Sequence, residues 1–273
     1  MNYPLEAGGV DDYPVKVGSM LLTLVEPHKG FESAYNRWYE RDHFYAGCMV
    51  GPWLFAGSRW VAPRTLKNER WPSESIIARP LDAGSYIAIY WVEKGHHADH
   101  FDDWATTQVR ALYADGRGFS ERTHVHTSMF DHLGSVYRDD DAVPVDLALD
   151  HGYEGLFVLW WDATDVTASE LHSKLSESQV PSLLKGSDIE IASSWATSIP
   201  DEPPRDVPMD LGSSSGSTNR LLQLLFVGGD TEAAVDGVRA YTDAVESEGL
   251  ASLLLAAPFF RTIVGTDKYV DQL

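Results

Sequence analysis

Two short clusters carry the residue types that can do acid–base or metal chemistry. The first is Asn36-x-Trp38-Tyr39-Glu40-x-x-His43. At about 100° per residue, Phe31, Tyr35, Trp38 and Asp42 fall on one stripe of a helix, and Asn36, Tyr39, Glu40 and His43 on the adjacent one. An apolar stripe beside a titratable one suits a helix lining a pocket. The plainer alternative is a helix packed through its aromatics, with His43 satisfied in the last turn, where a cation suits the helix dipole. The second cluster is Thr123-His124-Val125-His126-Thr127-Ser128. Strand alternation predicts that His124, His126 and Ser128 share one face. Two such imidazoles can hold a metal with a carboxylate such as Glu40 or Glu121, relay protons beside His43, or simply be hydrogen-bonded within a sheet.

The remaining chemistry-bearing positions read more simply. His96-His97-x-x-His100 is a polar opening turn of a helix, and His172 is a lone helical histidine. Gly212-x-Ser214-x-Gly216 matches the nucleophile-elbow spacing but sits in a Pro- and Ser-rich loop at 200–218, without the strand, sharp turn and helix that the elbow requires. No Gly-x-Gly-x-x-Gly follows a strand and no Walker loop occurs, which argues against a nucleotide or dinucleotide enzyme.

Periodicity supplies the elements that must position these clusters. Strands are predicted at 17–25, 54–61, 85–92 and 123–137, with helices at 31–45 and 98–115 between them. After a connection at 138–152 the pattern restarts: strands at 156–162, 189–198, 220–227 and 253–264, helices at 168–185 and 231–248. Each half reads β-α-β-β-α-β, the ferredoxin-like order. Ala56-Gly57-Ser58-Arg59-Trp60 and Ala192-Ser193-Ser194-Trp195 occupy equivalent strands, as a tandem duplication requires. Two sheets with apolar faces must cover one another, so the expected fold class is α+β: two ferredoxin-like units, 1–137 and 153–273, packed sheet to sheet as a single-chain barrel.

Composition narrows the function. Of 273 residues, 44% are apolar and 11% aromatic, enough for a real core and too many for a disordered chain. A net charge of −20 sets nucleic acid and anionic membranes aside as partners. The apolar runs at 155–161 and 250–260 are too short to span a bilayer, which needs about 20 residues. A single cysteine, Cys48, and an N-terminus with no basic-then-apolar leader point to the cytoplasm.

The motif ending in His43, followed by Ser58-Arg59-Trp60 on the next strand, resembles the EthD-like branch of the dimeric α/β-barrel superfamily over roughly residues 17–135. Members of that superfamily include isomerases, polyketide cyclases, cofactor-free monooxygenases and haem enzymes, so the resemblance implies a fold more than a reaction. It places His43, Asn36 and Tyr39 at the mouth of a cavity between helix and sheet, with Arg59 reaching in from the neighbouring strand. The second half has Val180, Pro181 and Ser182 where a matching histidine would stand, which leaves one expected active site.

The resulting reading is a cofactor-independent enzyme of the lyase, dehydratase, cyclase or isomerase type, acting on a small apolar or aromatic oxygenated molecule. His43, with a pKa near 7, moves a proton, helped by His124 and His126. Arg59 or Tyr39 stabilises the oxyanion, and Trp38, Trp53, Trp60, Tyr90 and Trp91 wall the cavity. No metal or other cofactor is expected, and the chain is expected to be a monomer or homodimer. The alternatives are a cofactor-free oxygenase, a haem or metal enzyme using His172 or the His124 and His126 pair, and a non-catalytic small-molecule binder.

Overall fold

The computed structural model describes residues 14–198 and 210–273; the expectations for the N-terminal residues and for most of the loop at 200–218 lie outside the described residues. Eight strands form among the described residues: β1 (Val17–Pro27), β2 (Leu54–Val61), β3 (Tyr86–Glu93), β4 (Arg122–Tyr137), β5 (Gly155–Ala163), β6 (Ile189–Thr197), β7 (Arg220–Val227) and β8 (Ala251–Arg261). They close into an antiparallel barrel in the order β1-β3-β2-β8-β5-β7-β6-β4. The first four strands lie as β4-β1-β3-β2 and the last four as β8-β5-β7-β6, the same order counted from the start of each half. The two seams are unequal. β4 pairs with β6 from Phe130↔Thr197 to Tyr137↔Ile191, whereas β2 meets β8 only at Trp60↔Arg261 and Val61↔Phe260.

Period-2 alternation sorts the side chains into layers. Met20, Leu22 and Leu24 of β1, Ile87, Ile89 and Trp91 of β3, Val158 and Trp160 of β5, and Leu222 and Leu224 of β7 fill the barrel interior. Their neighbours Phe157, Leu159, Trp161, Leu221 and Leu225 face outward, under α4 (Ala168–Glu177), α5 (Gln179–Leu184) and α6 (Val235–Ser247). Burial on both faces explains why β5 and β7 read as unbroken apolar runs rather than alternating ones. The outer face of the first half carries Val25, Leu54, Tyr86, Ala88 and Tyr90, packed against Tyr35, Tyr39 and Cys48.

The same layering corrects two expected cavity walls. Trp60 and Trp91 lie on the inward alternation, fully buried, with Trp60 edge-on to Phe226 and Trp91 stacked on Trp195 at 4.7 Å. They belong to the barrel core, on the opposite side of the sheet from the helices of their own half.

Those helices differ from a uniform α-helical reading. Residues 31–45 were expected as one helix; α1 (Glu32–Trp38) instead runs into a π-helix over Tyr39–Met49. After the short α2 (Arg64–Asn68), the second helix reverses the arrangement, with a π-helix over Asp99–Ala105 continuing into α3 (Thr106–Ala114). Both π-helices lie over the outer face of the first half.

Candidate active site

π-winding decides which side chains of the first helix meet the sheet. A π-helix, with its i→i+5 bonds, turns once in about 4.4 residues. Tyr39, His43 and Cys48, spaced four and five apart, therefore share one stripe, whereas α-winding would carry Cys48 to the side opposite Tyr39. Trp38 and His43, five apart, also come together, their rings stacked at 4.6 Å. Tyr39 meets the same imidazole edge-on at 5.1 Å. Gly47 completes the arrangement: a Cβ there would stand 2.7 Å from the His43 ring, so only glycine leaves the imidazole its place.

This stripe, the second π-helix and the sheet enclose an apolar cavity of about 250 Å³. Tyr39, His43 and Cys48 line it from the first π-helix, His100, Phe101 and Ala105 from the second, and Leu21, Thr23, Tyr90, Arg122, His124 and Thr127 from the strands. A larger groove of about 530 Å³ lies at the ends of β5 and β8, lined by Tyr153, Arg261, Lys268 and Tyr269. It touches none of the residues singled out from the sequence, whereas the smaller cavity gathers the titratable ones.

His43 makes no hydrogen bond among the described residues. Burial, the Arg122 charge and His124 together push its pKa down to about 3, with Asp42 opposing. The expected imidazole poised near pH 7 is therefore corrected to a neutral ring, a free acceptor facing an apolar space. Its cationic form would become favourable only beside a developing negative charge.

His124 is the reverse case, with both nitrogens engaged. The Arg122 Nε–H donates to its Nε2 at 3.2 Å, which leaves the proton of the neutral ring on Nδ1, facing Thr127 Oγ1 at 2.8 Å and Thr23 Oγ1 at 3.2 Å. Burial, followed by the Arg122 charge, lowers its pKa to about 4. Arg122 also donates to Phe119 O at 2.7 Å and Tyr113 Oη at 2.8 Å, and its guanidinium lies 4.8 Å from the Trp38 ring.

The pairing of His124 with His126 on one face is contradicted. Leu24 lies opposite His126 but Val25 lies opposite His124, so β4 carries a bulge with Val125 as the extra residue. His124 thus faces outward with Val25, and His126 inward with Leu24. His126 is 0% exposed, bonded through Nδ1 to Ser213 Oγ at 2.9 Å and packed on Phe130 and Trp160. Two imidazoles on opposite faces of a sheet cannot chelate one ion. Among the described residues no group of three or more His, Cys, Asp or Glu side chains is placed to hold a metal.

Haem fits no better. His172 on α4 bonds Ser176 Oγ through Nδ1 at 3.2 Å, and its Nε2 stands 2.7 Å from where a Gly134 Cβ would be. With one nitrogen bonded and the other against the β4 backbone, neither offers an axial position, and the layer beneath α4 is filled by Leu171 and Leu175.

The other expected site residues divide. Tyr90 lines the cavity, its hydroxyl 2.7 Å from that of Tyr39; burial holds both phenols well above their ordinary range, and the Cys48 thiol is pushed up to about 12. Trp38 backs His43 from outside the wall. Trp53 is 45% exposed and stacks on His96 at 3.6 Å, away from the cavity.

Asn36 and Arg59 serve a different structure. The Arg59 NH1 donates to Asn36 Oδ1 at 3.0 Å and lies 3.6 Å from Glu40, with its guanidinium 4.3 Å from the Tyr39 ring. The Asn36 amide donates to Thr266 O and Asp267 Oδ1, Glu40 accepts from Gly265 N, and Arg37 pairs with Asp267. These motif residues clasp the segment at 262–273, with Arg59 behind Tyr39 rather than in the cavity wall.

Arg122 and His100 also line the cavity, though neither stands out in the sequence as a site residue. Arg122 shares strand alternation with His124 but precedes Thr123, where the strand pattern begins. His100 donates from Nδ1 to Pro52 O at 2.7 Å and is buried, not a surface residue of an opening turn. The Gly212–Gly216 stretch is a loop laid along β4, with Thr127 N bonded to Leu211 O and Ser213 N to Val125 O, which upholds its dismissal as an elbow.

No family model matches the chain, and no curated sequence relative was found. Among solved structures, an anthrone oxidase-like protein superposes with a TM-score of 0.54 at 8% identity, over 92% of this chain and 95% of its own. A candidate monooxygenase from Fusobacterium nucleatum subsp. nucleatum superposes with a TM-score of 0.50 at 8% identity, over 90% of this chain and 92% of its own. At such identities the likeness shows the fold alone, and that fold is the dimeric type of α+β barrel, here closed within one chain.

Proposed function

We propose that the chain is a cofactor-independent enzyme in which His43 takes a proton from an acidic C–H or O–H of a small aromatic oxygenated molecule held in the cavity beneath the two π-helices. The observation that carries this reading is an imidazole with no hydrogen bond among the described residues, held neutral by burial, facing an apolar cavity. With no negative charge beside it, the ring is a weak base. As the proton moves, imidazolium and oxyanion form side by side in a low-dielectric space, so each stabilises the other and the transfer becomes feasible. Isomerisation, cyclisation and elimination all begin with this step.

A second reading is favoured by the likeness to the anthrone oxidase-like protein and the candidate monooxygenase. The same carbanion can be oxidised by molecular oxygen, a CH₂ group and O₂ giving a carbonyl and water. The matching strand order of the two halves supports a tandem duplication of one ferredoxin-like unit, and the His43 motif supports placement near the EthD-like branch. The chain is proposed to act as a monomer or homodimer. No helix among the described residues is long and apolar enough to cross a membrane.

The test is hydrogen–deuterium exchange of 2-tetralone, a bicyclic ketone with an acidic CH₂, followed by NMR in D₂O under nitrogen. The protein is expected to accelerate exchange, and His43→Gln to lose that acceleration by about 100-fold, in the range of a lost general base, while still binding the ketone. Binding without exchange in the wild type would make the protein a binder. Oxygen uptake in air separates oxidation from isomerisation.

A further inference from the structure

We propose that Arg122, held in place by His124, is the group that recognises the ligand's oxygen, and that the ligand is a flat aromatic molecule of one or two rings bearing a single phenolic or enolic oxygen, bound as the oxyanion. This rests on the cavity's being the ligand site.

The charges around the cavity support it first. Tyr39, His43 and Cys48 face it from the first π-helix, His100 from the second, and Tyr90, His124 and Arg122 from the sheet. Burial keeps the phenols and the thiol protonated and the imidazoles uncharged, so Arg122 is the one fixed charge among the described residues that line the cavity. No carboxylate lines the cavity among the described residues. Asp42, which acts on His43, is paired to Arg117, and Asp210, which acts on His124, accepts from Gly212 N at 2.9 Å. A cation without a counter-charge at the wall of an apolar cavity favours an anion.

Geometry supports it second. The bonds to His124, Phe119 and Tyr113 use three of the five N–H groups of the guanidinium, leaving one on each terminal nitrogen. Arg122 and His43 line the same cavity and each packs on the Trp38 ring, and the Arg122 charge acts on His43. His124 cannot serve as a second base, since its acceptor nitrogen is taken by Arg122 and its N–H is directed to Thr127 and Thr23. It is a positioning residue that acts through Arg122.

Size and chemistry select the class. About 250 Å³ is below the roughly 300–1,000 Å³ of sites for drug-sized ligands. A carboxylate arrives already ionised and leaves His43 no acidic proton to take; a phenol or enol keeps one at neutral pH and gives it up beside a cation.

The test uses 2-naphthol as the probe, with naphthalene and 2-naphthoate as comparators. Phenols titrate near 10, as tyrosine does, so free 2-naphthol is neutral at pH 7.5. Bound to the wild type it is expected to show the red-shifted absorption of the naphtholate. Arg122→Met should lose that band and weaken 2-naphthol at least tenfold more than it weakens naphthalene, and Arg122→Lys should recover part of the band. His124→Ala should weaken 2-naphthol less than Arg122→Met, and His124→Gln, which keeps an acceptor for the Arg122 Nε–H, should restore it. Retained naphthalene binding shows that each variant is folded. Neutral 2-naphthol in the wild-type complex, equal affinity for naphthalene and 2-naphthol, or tighter binding of 2-naphthoate would each overturn the assignment. If 2-tetralone exchange through His43 persists alongside such a result, the Arg122 assignment alone falls; if none of the three probes binds, the site itself falls with it.

Discussion

His126 offers a test of the bulge in β4 that needs no substrate. Its ring sits inside the barrel against Phe130 and Trp160, and burial, then the nearby charge of Arg220, lowers its pKa from 6.5 to about 4. Folding holds this imidazole neutral, so between pH 6.5 and about 4 the folded chain binds fewer protons than the unfolded one. The contribution to stability is fully present above pH 6.5 and is lost as pH falls towards 4. A fall from 6.5 to about 4 amounts to about 3 kcal/mol in all, most of which is gone by pH 4.5. In His126→Gln the side chain can still bond Ser213 but cannot take a proton. Urea unfolding followed by tryptophan fluorescence at pH 7.5 and 4.5 should show the variant less stable than wild type at the higher pH, by about 1 kcal/mol, and more stable at the lower. A difference between the two proteins that is the same at both pH values would refute the placement of His126 in the core and, with it, the bulge that sends His124 to the opposite face. His43, His124 and His132 are depressed in the same direction, so His126→Gln should relieve part of the acid sensitivity and not all of it.

Three further outcomes are expected. Gly47→Ala places a Cβ 2.7 Å from the His43 ring and should reduce 2-tetralone exchange at least tenfold, at a cost in stability of about 1–3 kcal/mol measured by urea unfolding. Trp91→Leu should destabilise the barrel by about 2–4 kcal/mol without changing 2-naphthol affinity, whereas Tyr90→Leu, on the neighbouring outward position, should change that affinity; a reversed pattern would mean that the two faces of β3 are misassigned. Asn36→Ala should release the segment at 262–273, seen as faster amide exchange at Gly265, Thr266 and Asp267, with exchange in the barrel strands unchanged.

Much of the fold was legible because its signals are local. Runs of β-forming apolar residues, alternating in some strands and unbroken in β5 and β7, marked the eight strands described, and β2 and β7 fall on the residues expected. The order of elements then restricts the sheet to a few topologies, of which the repeated β4-β1-β3-β2 arrangement is one. The titratable stripe of the first helix was also visible, since Tyr39 and His43 lie close enough in sequence for either winding to place them together.

Local patterning is enough to establish the set of strands, their order along the chain, an apolar interior, and a helix that presents Tyr39 and His43. Each remaining feature depends on a partner distant in the chain and so is set by packing. A one-residue offset against β1 sends His124 to the cavity and His126 to the core, and no property of β4 alone records it. Asn36 and Arg59 look catalytic beside His43 in sequence, yet they are engaged by the segment at 262–273 and by each other. Arg122 reaches the neighbourhood of His43 because both pack on Trp38, a contact made only once β4 lies beside β1 and the first helix winds with π geometry over the sheet. Periodicity states which residues share a face; register and winding, fixed by packing between distant segments, determine what that face meets.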